Sequence, residues 1–219
     1  MKNIPRIFIG NNVKNGMIIP ADKSIAHYLT DVMRTHDFLA FGGGFEYSAK
    51  ISEDKKSIMI GERTAHTDPS NDVTLYFSPI KHTDDLINMA TQMGVARIVP
   101  VITERTVAHH INWERMRKIA TEAAEQSNRN SVPEILNPIP FAKLDLKNIC
   151  FADERFAYGN ASQNTIPQNI TGILVGPEGG FSDNEFMALD NAGAVRVSLG
   201  KTILRAELAA AIAIGEMIK

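Results

Sequence analysis

Through about the first 66 residues, the apolar positions fall in short runs that are separated by turns rich in Asn, Gly and Asp. Short apolar runs bounded by such turns are typical of β-strands. The runs occupy residues 6–9, 16–19, 37–41, 45–51 and 57–60. Residues 42–44 are all glycine and predict a hairpin turn, because tight hairpins need positive φ. This part of the chain therefore predicts a small antiparallel barrel.

From Asp72 onward, apolar runs of strand length alternate with segments in which apolar residues recur at helical spacing. The predicted strands occupy residues 73–77, 97–102, 149–152, 172–175 and 194–199, and the predicted helices residues 84–93, 113–128 and 204–217. A further helix begins at Ser182, which forms a capping box with Glu185. The alternation is typical of an α/β fold with a mostly parallel sheet. The polar residues 65–71 form the predicted linker, so the predicted domains are residues 1–68 and 72–219.

Two glycine-bearing turns in the second domain form the candidate functional centre. Residues 174–181 read LVGPEGGF, and residues 198–208 read SLGKTILRAEL. Each turn follows a short strand-like run and precedes a helical pattern, so both lie at the carboxyl ends of predicted parallel strands, where open sheets bind ligands. Gly176 and Gly200 would let the backbone come close to a small ligand or adopt a tight turn.

These two loops resemble the signature of the RsmE family, SPOUT-superfamily methyltransferases that use S-adenosylmethionine to methylate N3 of a uridine in small-subunit ribosomal RNA. Residues 26–34 and 122–135 resemble two further family segments, in the expected order. The resemblance thus spans nearly the whole chain. It implies an RNA-binding, PUA-like β-barrel over residues 1–68. Over residues 72–219 it implies a SPOUT domain, in which the last segment threads a loop to form a trefoil knot.

The resemblance also implies a set of site residues. The S-adenosylmethionine positions of the family fall on Leu174, Gly176, Ser198, Leu199, Gly200, Ile203 and Leu204. The substrate, 16S rRNA of the small ribosomal subunit, would be held by His27, Arg34, Arg105 and Arg129. No metal is required. For His27 and Arg34, a surface ion pair on the barrel is an equally good explanation.

Methylation at N3 requires that the N3 proton leaves and that the resulting imide anion is stabilised. A positive charge at the start of the last helix interacts unfavourably with the helix dipole. The position of Arg205 there therefore has no evident structural explanation. Arg205 is therefore assigned to polarising the uracil carbonyls or to gripping phosphate. Glu178 is a candidate for orienting the substrate or accepting the proton, although a carboxylate that caps nearby amides explains it equally well.

Composition limits the class of protein without naming a function. The 219 residues are 44% hydrophobic, which suits one or two globular domains. The net charge of −2 does not indicate a nucleic-acid binder, but basic residues cluster locally at positions 115, 117 and 118. The single cysteine, Cys150, predicts a buried inert thiol. No apolar run approaches the ~20 residues of a membrane span, so the sequence predicts a cytoplasmic protein.

The sequence also bears on the oligomeric state and leaves alternative functions open. The apolar last helix, with the family's habit of completing each site near the subunit boundary, predicts a homodimer through the C-terminal domain. Met89, Gln92 and Leu208 stand where the family usually has lysine, glutamate and threonine. Methylation of another RNA therefore remains open, as does a non-catalytic RNA- or ribosome-binding protein that retains the fold. Binding of S-adenosylmethionine distinguishes the enzyme from the non-catalytic protein.

Overall fold

The computed structural model describes residues 4–69, 71–108, 110–158 and 166–218, so the predicted domain limits at residues 1 and 219 lie outside the described residues. The chain divides into two compact units. The first consists of residues 1–70 and 121–132, and the second of residues 71–120 and 133–219. The change of unit near residue 70 falls within the predicted linker. The return of residues 121–132 to the first unit differs from the predicted domains, each of which is continuous.

The strands of the first unit form one five-stranded sheet in the order β1-β3-β4-β5-β2. They are β1 (Arg6–Phe8), β2 (Ile18–Pro20), β3 (Asp37–Gly42), β4 (Phe45–Ile51) and β5 (Ser57–Thr67). All five correspond to predicted runs, but β5 continues through the beginning of the predicted linker. The pairing of β1 with β3 is parallel and the other pairs are antiparallel, so the sheet is mixed and not purely antiparallel as predicted.

The turn between β3 and β4 has the predicted hairpin geometry. Gly43 and Gly44 have φ values of +60° and +86°, the left-handed conformation that a two-residue hairpin turn requires. After β2, the chain forms a short helix, α1 (Lys23–His27), which continues into a π-helical turn over Tyr28–Val32. This helix is absent from the sequence prediction. Its buried residues, Ala26 and Leu29, join the core of the sheet.

Arg6 organises a polar cluster within the first unit. Its Nε donates to Glu46 Oε2 at 2.8 Å, and its Nη2 donates to Asn130 Oδ1 at 2.6 Å. Its guanidinium also lies over the ring of Phe41. Nearby, the backbone N–H of Phe8 donates to Glu125 Oε1 at 3.0 Å. The contacts to Glu125 and Asn130 explain why residues 121–132 belong to this unit.

The second unit has a parallel sheet in the order β12-β10-β11-β6-β7-β8, with β9 paired to the end of β7. Its strands are β6 (Thr74–Phe77), β7 (Arg97–Ile102), β8 (Glu134–Ile135), β9 (Ile139–Pro140), β10 (Ile149–Ala152), β11 (Gly172–Val175) and β12 (Val195–Val197). The helices are α2 (Thr83–Met93), α3 (Trp113–Gln126), which runs on into the first unit, α4 (Asp183–Asn191) and α5 (Ala206–Met217). The parallel α/β fold predicted for this part is confirmed.

The strands β7, β10 and β11 are buried along nearly their whole length, as expected for parallel strands covered on both faces. Phe151, Phe181 and Phe186 pack edge to face or tilted beneath the carboxyl end of the sheet. The predicted capping box of α4 is present, with Glu185 Oε2 accepting the N–H of Ser182 and Ser182 Oγ accepting the N–H of Glu185. These contacts hold the chain that follows the first glycine loop.

Cys150 is fully buried in β10, and burial raises the pKa of its thiol to about 12. It is therefore an inert core residue, as predicted. Among the described residues, no helix is long and apolar enough to cross a membrane.

Candidate active site

A cavity of about 670 Å³ opens at the carboxyl edge of the parallel sheet. It is lined by the segments that follow four strands: residues 81 and 82 after β6, residues 152–154 of β10 and its loop, residues 175–180 of β11 and its loop, and residues 197, 199, 200, 202–207 and 209 from β12 to α5. Its volume lies within the ~300–1,000 Å³ typical of small-molecule sites. The two glycine loops predicted as the functional centre therefore form opposite parts of one cavity.

Most of the predicted cofactor positions line this cavity, namely Gly176, Leu199, Gly200, Ile203 and Leu204. Leu174 and Ser198 do not. Leu174 is fully buried in the apolar core with Phe151 and Phe181, because β11 carries it inside the sheet. Ser198 is also buried, and its Oγ accepts the N–H of Gly200 at 3.5 Å. Both residues are buried beneath the loops and do not line the cavity.

The glycines of these loops are required for different reasons. A β-carbon on Gly176 would lie 3.1 Å from the ring of Phe181, so the glycine gives that ring room, and Gly176 also lines the cavity. Gly200 has open space around it but a φ of +119°, which side-chain-bearing residues rarely adopt. Gly180 combines both constraints, because its φ is +69° and a β-carbon would collide with the carboxyl group of Glu154.

Glu178 is an exposed residue at the edge of the cavity. Its Oε1 accepts the backbone N–H of Lys81 at 3.0 Å, which ties the loop after β11 to the loop after β6. The amide-capping explanation of Glu178 is therefore realised in the structure. A direct contact with substrate stays a prediction.

Arg205 is the N-cap residue of α5, with an extended backbone and an exposed side chain. Its backbone carbonyl accepts the N–H of Ala209 at 2.8 Å, the first bond of the helix. The side chain makes no capping bond and lies on the lining of the cavity. The predicted location at the start of the last helix is correct, and it places a guanidinium beside the cavity.

The loop after β10 brings two carboxylates that the sequence analysis missed. Asp153 is almost fully buried and forms an ion pair with Arg155, with Nη2–Oδ2 at 2.6 Å. Glu154 is half-buried, and burial raises the pKa of its carboxyl group. The sequence did carry a signal, since an acidic pair directly follows a predicted strand and parallel strands end at the same edge of a sheet.

The four residues expected to hold RNA have different environments. Arg105 lies in the loop after β7, and its Nη1 donates to the carbonyl of Gly179 at 2.9 Å, which holds the turn of the first glycine loop. Arg129 is largely buried, with Nε 3.8 Å from Asp68 Oδ2 and Nη2 donating to Ser131 Oγ. The burial of Arg129 argues against the predicted contact with RNA and favours a structural role.

His27 and Arg34 are both exposed on the first unit. His27 Nδ1 lies 2.9 Å from Asp31 Oδ2, so the alternative surface contact is present for His27 as a hydrogen bond. Hydrogen bonds from Lys55 and then His27 lower the pKa of Asp31 to about 2. Arg34 has a φ of +53°, an uncommon conformation for a residue with a side chain.

Among the described residues, no group of three or more His, Cys, Asp or Glu side chains could hold a metal ion.

Comparison with known proteins decides the family. Residues 67–218, more than half of the chain, match the family model of the RNA methyltransferase domain. The ribosomal RNA small subunit methyltransferase E of Rickettsia conorii is 34% identical over 231 residues, covering 97% of this chain and 94% of that protein. The chain belongs to the ribosomal RNA small subunit methyltransferase E family. The resemblance to the RsmE family is thereby confirmed.

Two other members of the ribosomal RNA small subunit methyltransferase E family agree with this assignment. The Aquifex aeolicus protein is 28% identical, covering 93% of this chain and 94% of its own. The crystal structure of the Neisseria gonorrhoeae protein, bound to S-adenosyl methionine, superimposes with a TM-score of 0.82 at 26% identity, covering 97% of this chain and 95% of that one. Similarity thus extends over both units of the chain.

Proposed function

We propose that this protein transfers a methyl group from S-adenosylmethionine to N3 of a uridine in 16S rRNA of the small ribosomal subunit. The observation that carries the proposal is the 670 Å³ cavity that both glycine loops share. Relatives named ribosomal RNA small subunit methyltransferase E, and the Neisseria gonorrhoeae structure with S-adenosyl methionine, support the same reaction and cofactor. Action on ribosomal RNA also supports the predicted location in the cytoplasm.

The cavity has the chemistry that this cofactor needs. Val175, Leu199 and Ile203 provide apolar walls for an adenine ring, and the glycine turns bring backbone amides to the same space. The cofactor supplies an activated methyl group when bound. Arg205 stabilises the negative charge that develops on the uracil oxygens as N3 loses its proton. Glu178 orients the substrate side of the cavity through its hold on the backbone of Lys81.

The first unit is proposed to be the RNA-binding, PUA-like barrel. His27 and Arg34 are exposed there and are proposed to contact RNA phosphates, whereas the nearby charge of Lys55 is paired with Asp31. For the second unit, the SPOUT-type trefoil knot is proposed. The order of elements supports it, since the chain crosses β10 on its way from β11 to β12, and α5 then returns to pack against β11, β6 and α2.

A homodimer through the second unit is the expected assembly. Leu208 and Ile212 are 45% and 37% exposed, and their spacing of four residues puts them on one face of α5. Sedimentation velocity at micromolar concentration should show a dimer. The double variant Leu208→Glu/Ile212→Glu should weaken it at least about tenfold, because charges on a self-complementary apolar contact lie close to their symmetry mates. Met59→Glu, at an apolar residue of the first unit that is 55% exposed, should not. A wild-type monomer would contradict the prediction.

The proposed function is tested by cofactor binding followed by RNA methylation. Calorimetry should show binding of S-adenosylmethionine, and small subunits isolated from a strain that lacks this gene should gain one N3-methyluridine in 16S rRNA, located by mass spectrometry. No binding at millimolar cofactor would favour the non-catalytic RNA- or ribosome-binding protein. Methylation only of another RNA would retain the enzyme and change its substrate.

A further inference from the structure

Glu154 occupies a central position in the cavity. It directly follows Asp153 at the end of β10, and β10 lies between β11 and β12 in the sheet. The loop of β10 is therefore flanked by the two glycine loops. Glu154 lines the cavity from this position, and its carboxyl group lies against the turn at Gly180.

The bonds of the Glu154 carboxyl group leave its charge poorly compensated. It accepts backbone N–H groups from Phe181 and from its own residue, which are neutral donors. The nearest cation in its loop, Arg155, is committed to Asp153 and lies over the ring of Phe186 at 3.8 Å. Burial raises the pKa of the Glu154 carboxyl group, as expected for an anion that is partly removed from water and whose hydrogen-bond donors are neutral.

The surrounding loop is built to admit this carboxyl group. Gly180 has a φ of +69°, which favours glycine, and the end of the Glu154 side chain occupies the space beside it. On the same turn, Arg105 holds the carbonyl of Gly179 at 2.9 Å. The turn is thus fixed in a conformation that keeps an anion at the wall of the cavity, and a cationic ligand would relieve the cost of burying it.

We propose that Glu154 recognises the positively charged sulfonium group of the cofactor and thereby distinguishes S-adenosylmethionine from S-adenosylhomocysteine. This inference rests on the proposed function. The two molecules differ by one methyl group and one positive charge, so a nearby carboxylate acts on one and not on the other. After transfer the charge is gone, Glu154 loses its partner, and the product is released more easily.

The half-buried position of Glu154 favours this role over that of proton acceptor for N3. A proton acceptor has to reach the uracil of an RNA that arrives from solvent, and Glu178 is an exposed carboxylate of the cavity lining. Glu154 instead is half-buried, accepts the backbone N–H of Phe181 and lies against the turn at Gly180. Loss of turnover without loss of binding remains the signature of a proton acceptor and serves as an outcome of the test.

The test is calorimetric titration of the full chain with S-adenosylmethionine and, separately, with S-adenosylhomocysteine. Glu154→Gln keeps the shape and removes the charge, and it should lower the affinity for S-adenosylmethionine about tenfold while changing that for S-adenosylhomocysteine less than about twofold. Asp183→Asn removes an exposed carboxylate at the start of α4, outside the cavity lining, and should change neither affinity.

An equal loss for both ligands would overturn the inference, since it would mean that Glu154 only holds the loop. Unchanged binding of both with lost methyl transfer would also overturn it and assign proton transfer to Glu154. If Glu154→Gln does not fold, Glu154→Asp withdraws the carboxylate by one carbon–carbon bond and should show a smaller loss, again selective for S-adenosylmethionine. A wild-type protein that binds neither ligand would refute the proposed function itself, which separates the two failures.

Discussion

Replacing Arg205 with alanine is expected to reduce the single-turnover rate of methyl transfer about 10²-fold or more, with cofactor affinity nearly unchanged. The expected size is that of one preorganised donor directed at developing negative charge in a site partly screened from water. Arg205 has the required placement, because it caps α5 with its backbone while its side chain lies on the cavity lining.

The measurement pairs single-turnover methylation with RNA affinity on the same variant. Arg205→Lys retains the positive charge but lacks the planar guanidinium group, so its rate should lie between those of Arg205→Ala and the wild type. Arg97→Ala removes another arginine of the second unit, one that pairs with Asp72 and does not line the cavity, and should leave the rate near that of the wild type. Weaker, less salt-dependent RNA binding with normal turnover at saturating RNA would instead assign Arg205 to phosphate. Wild-type values in both assays would refute both roles.

Replacing Gly200 with valine is expected to weaken S-adenosylmethionine binding by roughly 5- to 150-fold, the equivalent of ~1–3 kcal/mol of backbone strain. Gly200 has a φ of +119° in the second glycine loop, and no neighbouring atom limits the space for a side chain. The loss would therefore come from the backbone that shapes the cavity and not from a steric collision.

Calorimetry on Gly200→Val measures this loss, and Gly10→Val is the matched control. Gly10 has a φ of +100° and equally open surroundings, but it lies in the first unit. The control should lose stability without losing cofactor affinity. Gly176→Val is a less specific variant, because its side chain would also press on the ring of Phe181 in the core. Unchanged affinity in Gly200→Val would mean that the second loop does not bind the cofactor.

The sequence predicted those elements whose apolar runs are long enough to show a period. Residues 97–102 and 149–152 were assigned to strands that the structure reproduces at both ends, because buried parallel strands are continuous apolar runs between polar turns. The two-residue strands β8 and β9 are too short to carry any period. The parallel pairing of β1 with β3 also could not be foreseen, since periodicity identifies a strand but not its partner.

The sequence could predict those residues of the candidate site that are recognisable from one loop alone. Gly200 and Arg205 were identifiable because a glycine turn between a strand and a helix, and a cation at a helix start, can each be recognised within a single segment. Leu174 was assigned to the cavity although it belongs to the core, since its burial depends on the strands beside it. Glu154 needed the strand order, because only the position of β10 between β11 and β12 brings its loop between the two glycine loops.

The polar cluster around Arg6 bears on how this architecture can be exchanged in evolution. Arg6 and Phe8 obtain partners from Asn130 and Glu125, which are encoded more than a hundred positions downstream. A gene fragment that ended in the linker would carry five strands but lose these hydrogen-bond acceptors, and each such bond contributes roughly 0.5–1.5 kcal/mol to stability. Residues 1–70 alone therefore do not make up the complete first unit. A recombination event that transfers this unit has to keep the chain at least as far as residue 132.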